Sequence, residues 1–308
     1  MTSAPELRPA RLRIPGSTSN LGSGFDTVGL ALDRYLEATF TPDASGALTV
    51  EREGTLVRLD DFPGPDLVAE TFQRELEAQG ATPSGRLVLH SSIPVIRGFG
   101  SSAAALIVGH DLARAAIGKE IDRGASFRAA YAREGHGDNA GPSAFGGLRA
   151  IVSAADGPRV LALPLADSIG LAYSAPAAPL STAEARAALP RTVPHEKAVT
   201  SLGRLVGLLQ GLAQGDPELI RIGMQDELHV PYRLPLIPDA EHAVAAGYEA
   251  GAWGVTISGG GSGLIALAPL DRADGVAEAM REVFARGVDD PECVGFSVRP
   301  DFDGLVRL

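Results

Sequence analysis

A chain of 308 residues, 45% of them hydrophobic, can bury a sizeable core and is long enough for two domains. A net charge of −11 and a pI near 5.0 leave it without the electrostatic footprint of a protein that binds nucleic acid or an anionic membrane. The single cysteine, Cys293, excludes an intrachain disulfide and a cysteine zinc site, and is expected to be a small buried residue.

The N-terminal charges carry no apolar stretch before Pro15, and no run approaches the roughly 20 apolar residues of a membrane span, so a cytoplasmic protein is expected. Ala10 to Ile14 reads as a strand that stops at Pro15, and residues 16–24, rich in Gly, Ser, Thr and Asn, read as a loop. Val28 to Leu32 and Leu36 to Phe40 suit strands or short helices, and Leu48 to Glu53 a strand. Leu67, Val68, Thr71, Phe72 and Leu76 form a helical stripe within 67–79. Arg86 to His90 is a strand, 102–117 a helix stopped by Gly118, and 127–134 a second helix stopped by Gly135. Residues 146–153 and 160–163 pair around Asp156-Gly157, and a domain boundary falls near 155. Strands follow at 170–174, 254–258 and 264–268, with helices at 182–189, 198–214, 217–225, 239–249 and 273–285. Without regular βαβ alternation this pattern favours α+β layers over a doubly wound sheet.

Pro94-Val95-Ile96-Arg97-Gly98-Phe99-Gly100-Ser101-Ser102-Ala103-Ala104 places two glycines and two serines before a helix. Helix N-termini present unpaired N–H groups and a positive dipole end, and glycine lets a ligand come close, so the segment suits a phosphate. A P-loop needs a lysine in the glycine-rich segment, and the only lysines, Lys119 and Lys197, lie elsewhere. Gly98 to Ala103 fits the G-x-G-x-x-A dinucleotide pattern, but Pro94 separates it from the preceding strand and no apolar strand leads into Glu120. A serine cap alone would explain one serine, not both glycines and the alanine run.

The whole string resembles the central motif of the GHMP kinases, with Phe99 where the family usually has leucine. The resemblance extends to Pro15-Gly16-Ser17-Thr18-Ser19-Asn20-Leu21-Gly22-Ser23-Gly24-Phe25-Asp26, in the form found in the homoserine kinases of that family, and to Ser258-Gly259-Gly260-Gly261-Ser262-Gly263. It implies an N-terminal domain over 1–155 like the second domain of ribosomal protein S5, a ferredoxin-like domain over 156–308, and a site between them. It further implies ATP on residues 94–104 with Gly259 and Gly260 closing over it, and Mg²⁺ on Ser102 and Glu134.

Glu134-Gly135-His136-Gly137-Asp138-Asn139 is similar to a stretch of the homoserine kinases. Mevalonate-type relatives carry an aspartate base at the position of Asn139. An amide takes no proton at neutral pH, so Asn139 is expected to orient a hydroxyl. Asp138, in what reads as an extended loop whose neighbouring side chains diverge, is not assigned as a base. The resemblance implies that Arg186 and Arg233 meet the carboxylate of L-homoserine, with Asp26 on its ammonium and Asn20 beside it, and that Thr182, four residues before Arg186 on the same helix face, joins Asn139 and Arg186 as a catalytic residue. Asp66 stands where relatives have an asparagine that seats adenine. His195 and His229 are expected to be structural. The alternatives are a GHMP kinase for another small alcohol and a catalytically silent nucleotide-binding regulator. The sequence leaves the assembly open between a monomer and a homodimer.

Overall fold

The computed structural model describes residues 5–44, 46–61, 64, 66–286 and 292–308. Its first strand, β1 (Ala10–Asn20), is buried on alternate residues as far as Ile14 and on both faces beyond it. It pairs antiparallel with the long β2 (Gly24–Pro42). The strand does not stop at Pro15 as expected. A register shift between Pro15 and Gly16 absorbs the missing proline N–H, and pairing resumes from Gly16↔Leu32 to Asn20. The expected loop at 16–24 thus shrinks to a turn at Leu21–Ser23.

Next come β3 (Leu48–Gly54), α1 (Leu67–Ala78) and β4 (Gly85–Ser91). Helix α1 turns the predicted stripe of Val68, Thr71, Phe72 and Leu76 inward. Helix α2 (Ser101–Ala116) is buried almost all round, which its alanine-rich sequence allows. Helix α3 (Arg123–Glu134) ends at Gly135, and the short α4 (Ala140–Phe145), too brief for a periodic signal, follows. Strands β5 (Leu148–Ala154) and β6 (Gly157–Leu163) form the predicted hairpin.

A second sheet holds β7 (Ile169–Ala175), β8 (Gly254–Ile257), β9 (Leu264–Pro269) and β10 (Val294–Val298) in the order β10-β7-β9-β8. Between β7 and β8 run α5 (Thr182–Ala187), α6 (His195–Gln214), α7 (Pro217–Gly223), α8 (Val230–Arg233) and α9 (Ala240–Glu249); α10 (Ala273–Phe284) precedes β10. Counting α9 as the first crossover helix gives βαββαβ with that strand order, the ferredoxin-like arrangement. The chain then returns to the first sheet, where β11 (Val306–Arg307) pairs with β1, giving the order β11-β1-β2-β4-β3 with β5 and β6 beside β2. By sheet membership the first layer therefore runs through Leu163 and takes back the last residues of the chain. Cys293 is buried, with its thiol on the Phe284 carbonyl. Among the described residues no helix is long and apolar enough to cross a membrane.

Candidate active site

The three glycine-bearing segments, far apart in sequence, meet as backbone layers at the start of α2. Gly98 (φ +70) lies so close to the second domain that a Cβ there would sit 1.9 Å from the Ser258 carbonyl oxygen. Ser258 Oγ donates to the Gly98 carbonyl at 2.6 Å and Gly263 N to that of Arg97 at 3.2 Å. Ser17 N donates to the Phe99 carbonyl (3.1 Å) and Gly259 N to that of Ser19 (3.2 Å). Gly100, left-handed at φ 67, precedes α2 and makes no side-chain cap. Ser101 and Ser102 are therefore the first helical residues, and neither is used as a cap. The first N–H groups of this helix have no intrahelical partner.

Two residues of this loop have side chains engaged away from it. The Arg97 side chain turns away from the loop mouth, donating to the carbonyls of Glu292 and, at 2.9 Å, Ala177, so it ties the domains together and leaves only its backbone for a ligand. Phe99 is buried edge-on to Tyr173, ring centroids 4.8 Å apart. Beside the loop a cavity of about 210 Å³ is lined by Leu56, Asp66, Val68, Val95, Ile96 and Ser102. Asp66 reaches its wall already engaged. One oxygen caps α1 at the N–H groups of Val68 and Ala69, and the other accepts from Arg52 Nε at 2.8 Å.

Under the loop lies a polar floor. Asn139 Nδ2 donates to Ser19 Oγ (3.0 Å), its Oδ1 accepts from Ser17 Oγ (3.0 Å), and Ser143 Oγ donates on to Ser17 (3.2 Å). Asp138 and Asn139 form a turn into α4, not an extended loop, and both lie at Ser19, so their side chains converge where divergence was expected. Asp138 is buried against the His136 ring, 2.7 Å from Nδ1. Burial alone would raise its carboxyl, but the His136 hydrogen bond and charge outweigh this and hold it below the usual carboxylate range. Burial likewise opposes the imidazolium, yet Asp138 carries His136 above its ordinary value. Glu134 is pushed up by burial, with the neighbouring Ser102 hydroxyl acting in the opposite direction. Its Oε2 is buried without a hydrogen-bond partner.

Across the cleft Arg186 grips Asp26 with both arms, at 2.8 and 3.1 Å. Capping by Ser181 and Glu184 fixes α5 and hence Arg186. Thr182 opens the same helix, with its Oγ1 3.7 Å from where a Cβ on Gly260 would stand. Asn20 uses its amide to bridge loops, donating to the Gly259 carbonyl (2.8 Å) and accepting from Asp26 N (2.9 Å). Arg233 is buried, donates Nε to the Ala185 carbonyl (3.1 Å) and lies over the Phe25 ring. Burial and the nearby Arg186 charge pull its pKa down. His229 stacks on Phe25 and stands 3.1 Å from the Gly22 carbonyl, a structural role as expected. Ser17, Ser19 and the His136–Asp138 pair were not singled out by sequence. The alternation Ser17, Ser19 in a strand, which puts both on one face, was the available signal for the serines.

The sequence matches the family model described as GHMP kinases N terminal domain over residues 66–147 and that described as GHMP kinases C terminal over 208–286. It is 39% identical over 284 residues to a homoserine kinase of Prochlorococcus marinus, covering 89% of each chain. The chain belongs to the GHMP kinase family. Within that family it is also 38% identical over 259 residues to a homoserine kinase of Thermus thermophilus, covering 84% of this chain and 86% of the relative. The solved homoserine kinase from Cytophaga hutchinsonii superposes with a TM-score of 0.83 at 25% identity, over 100% of this chain and 99% of the other. A mevalonate kinase of L. major, at 14% identity and a TM-score of 0.69 over 97% and 98% of the two chains, shares the GHMP fold.

Proposed function

We propose that this GHMP kinase transfers the γ-phosphoryl group of ATP to the side-chain hydroxyl of L-homoserine, giving O-phospho-L-homoserine and ADP, a cytoplasmic step toward threonine. The observation that carries the substrate half is the Asp26–Arg186 pair, whose carboxylate lies within 4.8 Å of that of Asp138, the residue before Asn139. The pair offers one group for an ammonium and one for a carboxylate, and Asn139 an amide that can hold a hydroxyl. The phosphate half rests on the first turn of α2, whose N–H groups suit an anion.

On this reading the nucleobase enters the cavity beside Asp66 and the phosphates lie along 97–102 under the 258–263 loop. Glu134 and Ser102 would hold Mg²⁺. The partnerless buried Oε2 of Glu134 fits a cation, and oxygen donors suit this one. When bound, the ion neutralises charge on the phosphate oxygens. Asn139 keeps a second amide N–H beyond the one given to Ser19, and with it orients the acceptor hydroxyl. Asp138, held low by His136, is a poor base. Catalysis then comes from positioning and charge stabilisation, with the hydroxyl proton passing to a phosphate oxygen, a course open to a loose phosphoryl-transfer transition state. ADP release measured with homoserine, mevalonate and galactose tests the proposal. Homoserine should be turned over well ahead of the others, and turnover of mevalonate without homoserine refutes the substrate.

A further inference from the structure

Two polar side chains of the glycine-rich loops are spent on one short segment of the second domain. Arg97 and Ser262 are 2% and 1% exposed, so neither side chain is left for a phosphate. Instead they hold successive carbonyls. Arg97 donates to Ala177 at 2.9 Å and Ser262 Oγ to Ala178 at 2.6 Å. The two loops are themselves joined, Gly263 N to the Arg97 carbonyl at 3.2 Å. The segment that receives both bonds, residues 176–181, connects β7 to α5. Pro176 and Pro179 fix φ at two of its positions and stiffen it. Leu180 is buried in the same apolar cluster as Ala185 of α5, and Ser181 caps that helix.

We propose that residues 176–181 are a strap that fixes α5 to the phosphate side of the cleft, which makes Arg97 and Ser262 positioning residues for Arg186. The inference rests on the proposed function in taking Arg186 to meet the substrate carboxylate. A single bond between the domains would hold them together and leave the segment free to pivot. Two donors on neighbouring carbonyls set its direction as well as its position. The Arg97 guanidinium is in turn anchored by its second bond, to the Glu292 carbonyl just before β10. Phosphates that order the two loops therefore order α5 as well. The cost of ordering is met once for both ligands, so nucleotide and amino acid bind with positive, reciprocal coupling.

Hydrogen exchange along α5 and calorimetric titration test this, with AMP-PNP as the nucleotide. In the wild type AMP-PNP alone should slow exchange of the Ala185 and Ala188 amides, which bond back to Ser181 and Glu184, and should tighten homoserine binding several-fold. In Ser262→Ala both effects should be lost. The homoserine KM should then rise by about 3- to 10-fold, the worth of one neutral hydrogen bond, while the ATP KM stays within about twofold. Arg97→Lys, which gives up the fork spanning Ala177 and Glu292, should show the same split. Ser174→Ala is the control. Ser174 is equally buried and bonds the Val294 carbonyl at 2.9 Å, away from the strap, so its loss should leave the coupling intact. The strap is overturned by a wild-type α5 indifferent to AMP-PNP, by protection retained in Ser262→Ala, or by equal loss in Ser174→Ala. An α5 that responds to AMP-PNP through Ser262 in a protein that binds no homoserine refutes the substrate and upholds the strap.

Discussion

Gly98→Ala tests whether the meeting of the two glycine-rich loops, rather than the loop sequence itself, makes the phosphate site. Two costs arise. An alanine at φ +70 adds about 1–2 kcal/mol of backbone strain. Its Cβ would also stand 1.9 Å from the Ser258 carbonyl oxygen and 3.0 Å from Gly261 N, both backbone atoms that cannot rotate aside. The 258–263 loop must retreat by about 1 Å or more, giving up the Ser258 Oγ to Gly98 bond. Together these should destabilise the protein by roughly 2–4 kcal/mol. Because a displacement of about 1 Å at a reacting centre costs on the order of 100-fold in rate, kcat/KM should fall by about that factor. Gly80→Ala separates the two effects. Gly80 has nearly the same backbone, φ +75, but a Cβ there meets nothing within 4 Å, so it pays the strain alone. Coupled ADP-release kinetics and urea unfolding of both variants provide the readout. Gly98→Ala within about threefold of wild-type kcat/KM, or Gly80→Ala losing as much activity, refutes the reasoning.

Asn139→Asp gives up the donor to Ser19 and sets a second carboxylate beside Asp138, so kcat should drop by about 100-fold; a rise would show that a base was wanted there. Asp66→Asn keeps an oxygen for the α1 cap but loses the carboxylate at Arg52. The KM for ATP should move several-fold while that for homoserine stays within about twofold, and an unchanged ATP value removes Asp66 from the nucleotide site. Burial, reinforced by Arg233 and only partly opposed by Asp226, holds His229 below its ordinary value of 6.5. Below about pH 6.5 the unfolded chain therefore binds a proton that the folded chain refuses. Stability should fall with falling pH by up to about 1.4 kcal/mol per unit, and urea midpoints of wild type and His229→Gln should converge as pH drops, whereas parallel profiles contradict this.

The elements that could be read in the sequence are those whose signal is local. The stripe of α1, the glycine stops of α2 and α3 and the Asp156-Gly157 turn each lie within a few residues. What escaped depends on distant partners. Pro15 ends a strand in isolation, but pairing with β2 on both sides of a register shift carries β1 through it. Helices α4 and α8 are too short to show a period. Arg97 sits within the phosphate motif and looks like a phosphate ligand until the carbonyls of Ala177 and Glu292, from the other domain, are seen to claim it. That Arg233 is buried, with its guanidinium over Phe25 and its Nε on the Ala185 carbonyl, was likewise not legible in the sequence. Motif order was legible because it follows chain order. The hydrogen bonds of each polar side chain were not, because they depend on which loops the two sheets bring together.

The Asp26–Arg186 pair bears most directly on selectivity. The two side chains are about a third exposed, so the pair itself contributes only about 0–1 kcal/mol and opens at little cost. On the proposed reading an α-amino acid replaces both halves at once, its ammonium taking Asp26 and its carboxylate Arg186. A hydroxy acid without the ammonium would satisfy Arg186 and leave Asp26 unpaired in a region that already holds the buried carboxylate of Asp138. Discrimination would then come from the charge stranded by the wrong substrate. Asp26→Asn removes that penalty. The kcat/KM for homoserine should fall by about 10- to 100-fold, that for mevalonate should hold or rise, and their ratio should narrow accordingly. If both substrates lose equally, Asp26 serves only to hold Arg186 and the ammonium is read elsewhere.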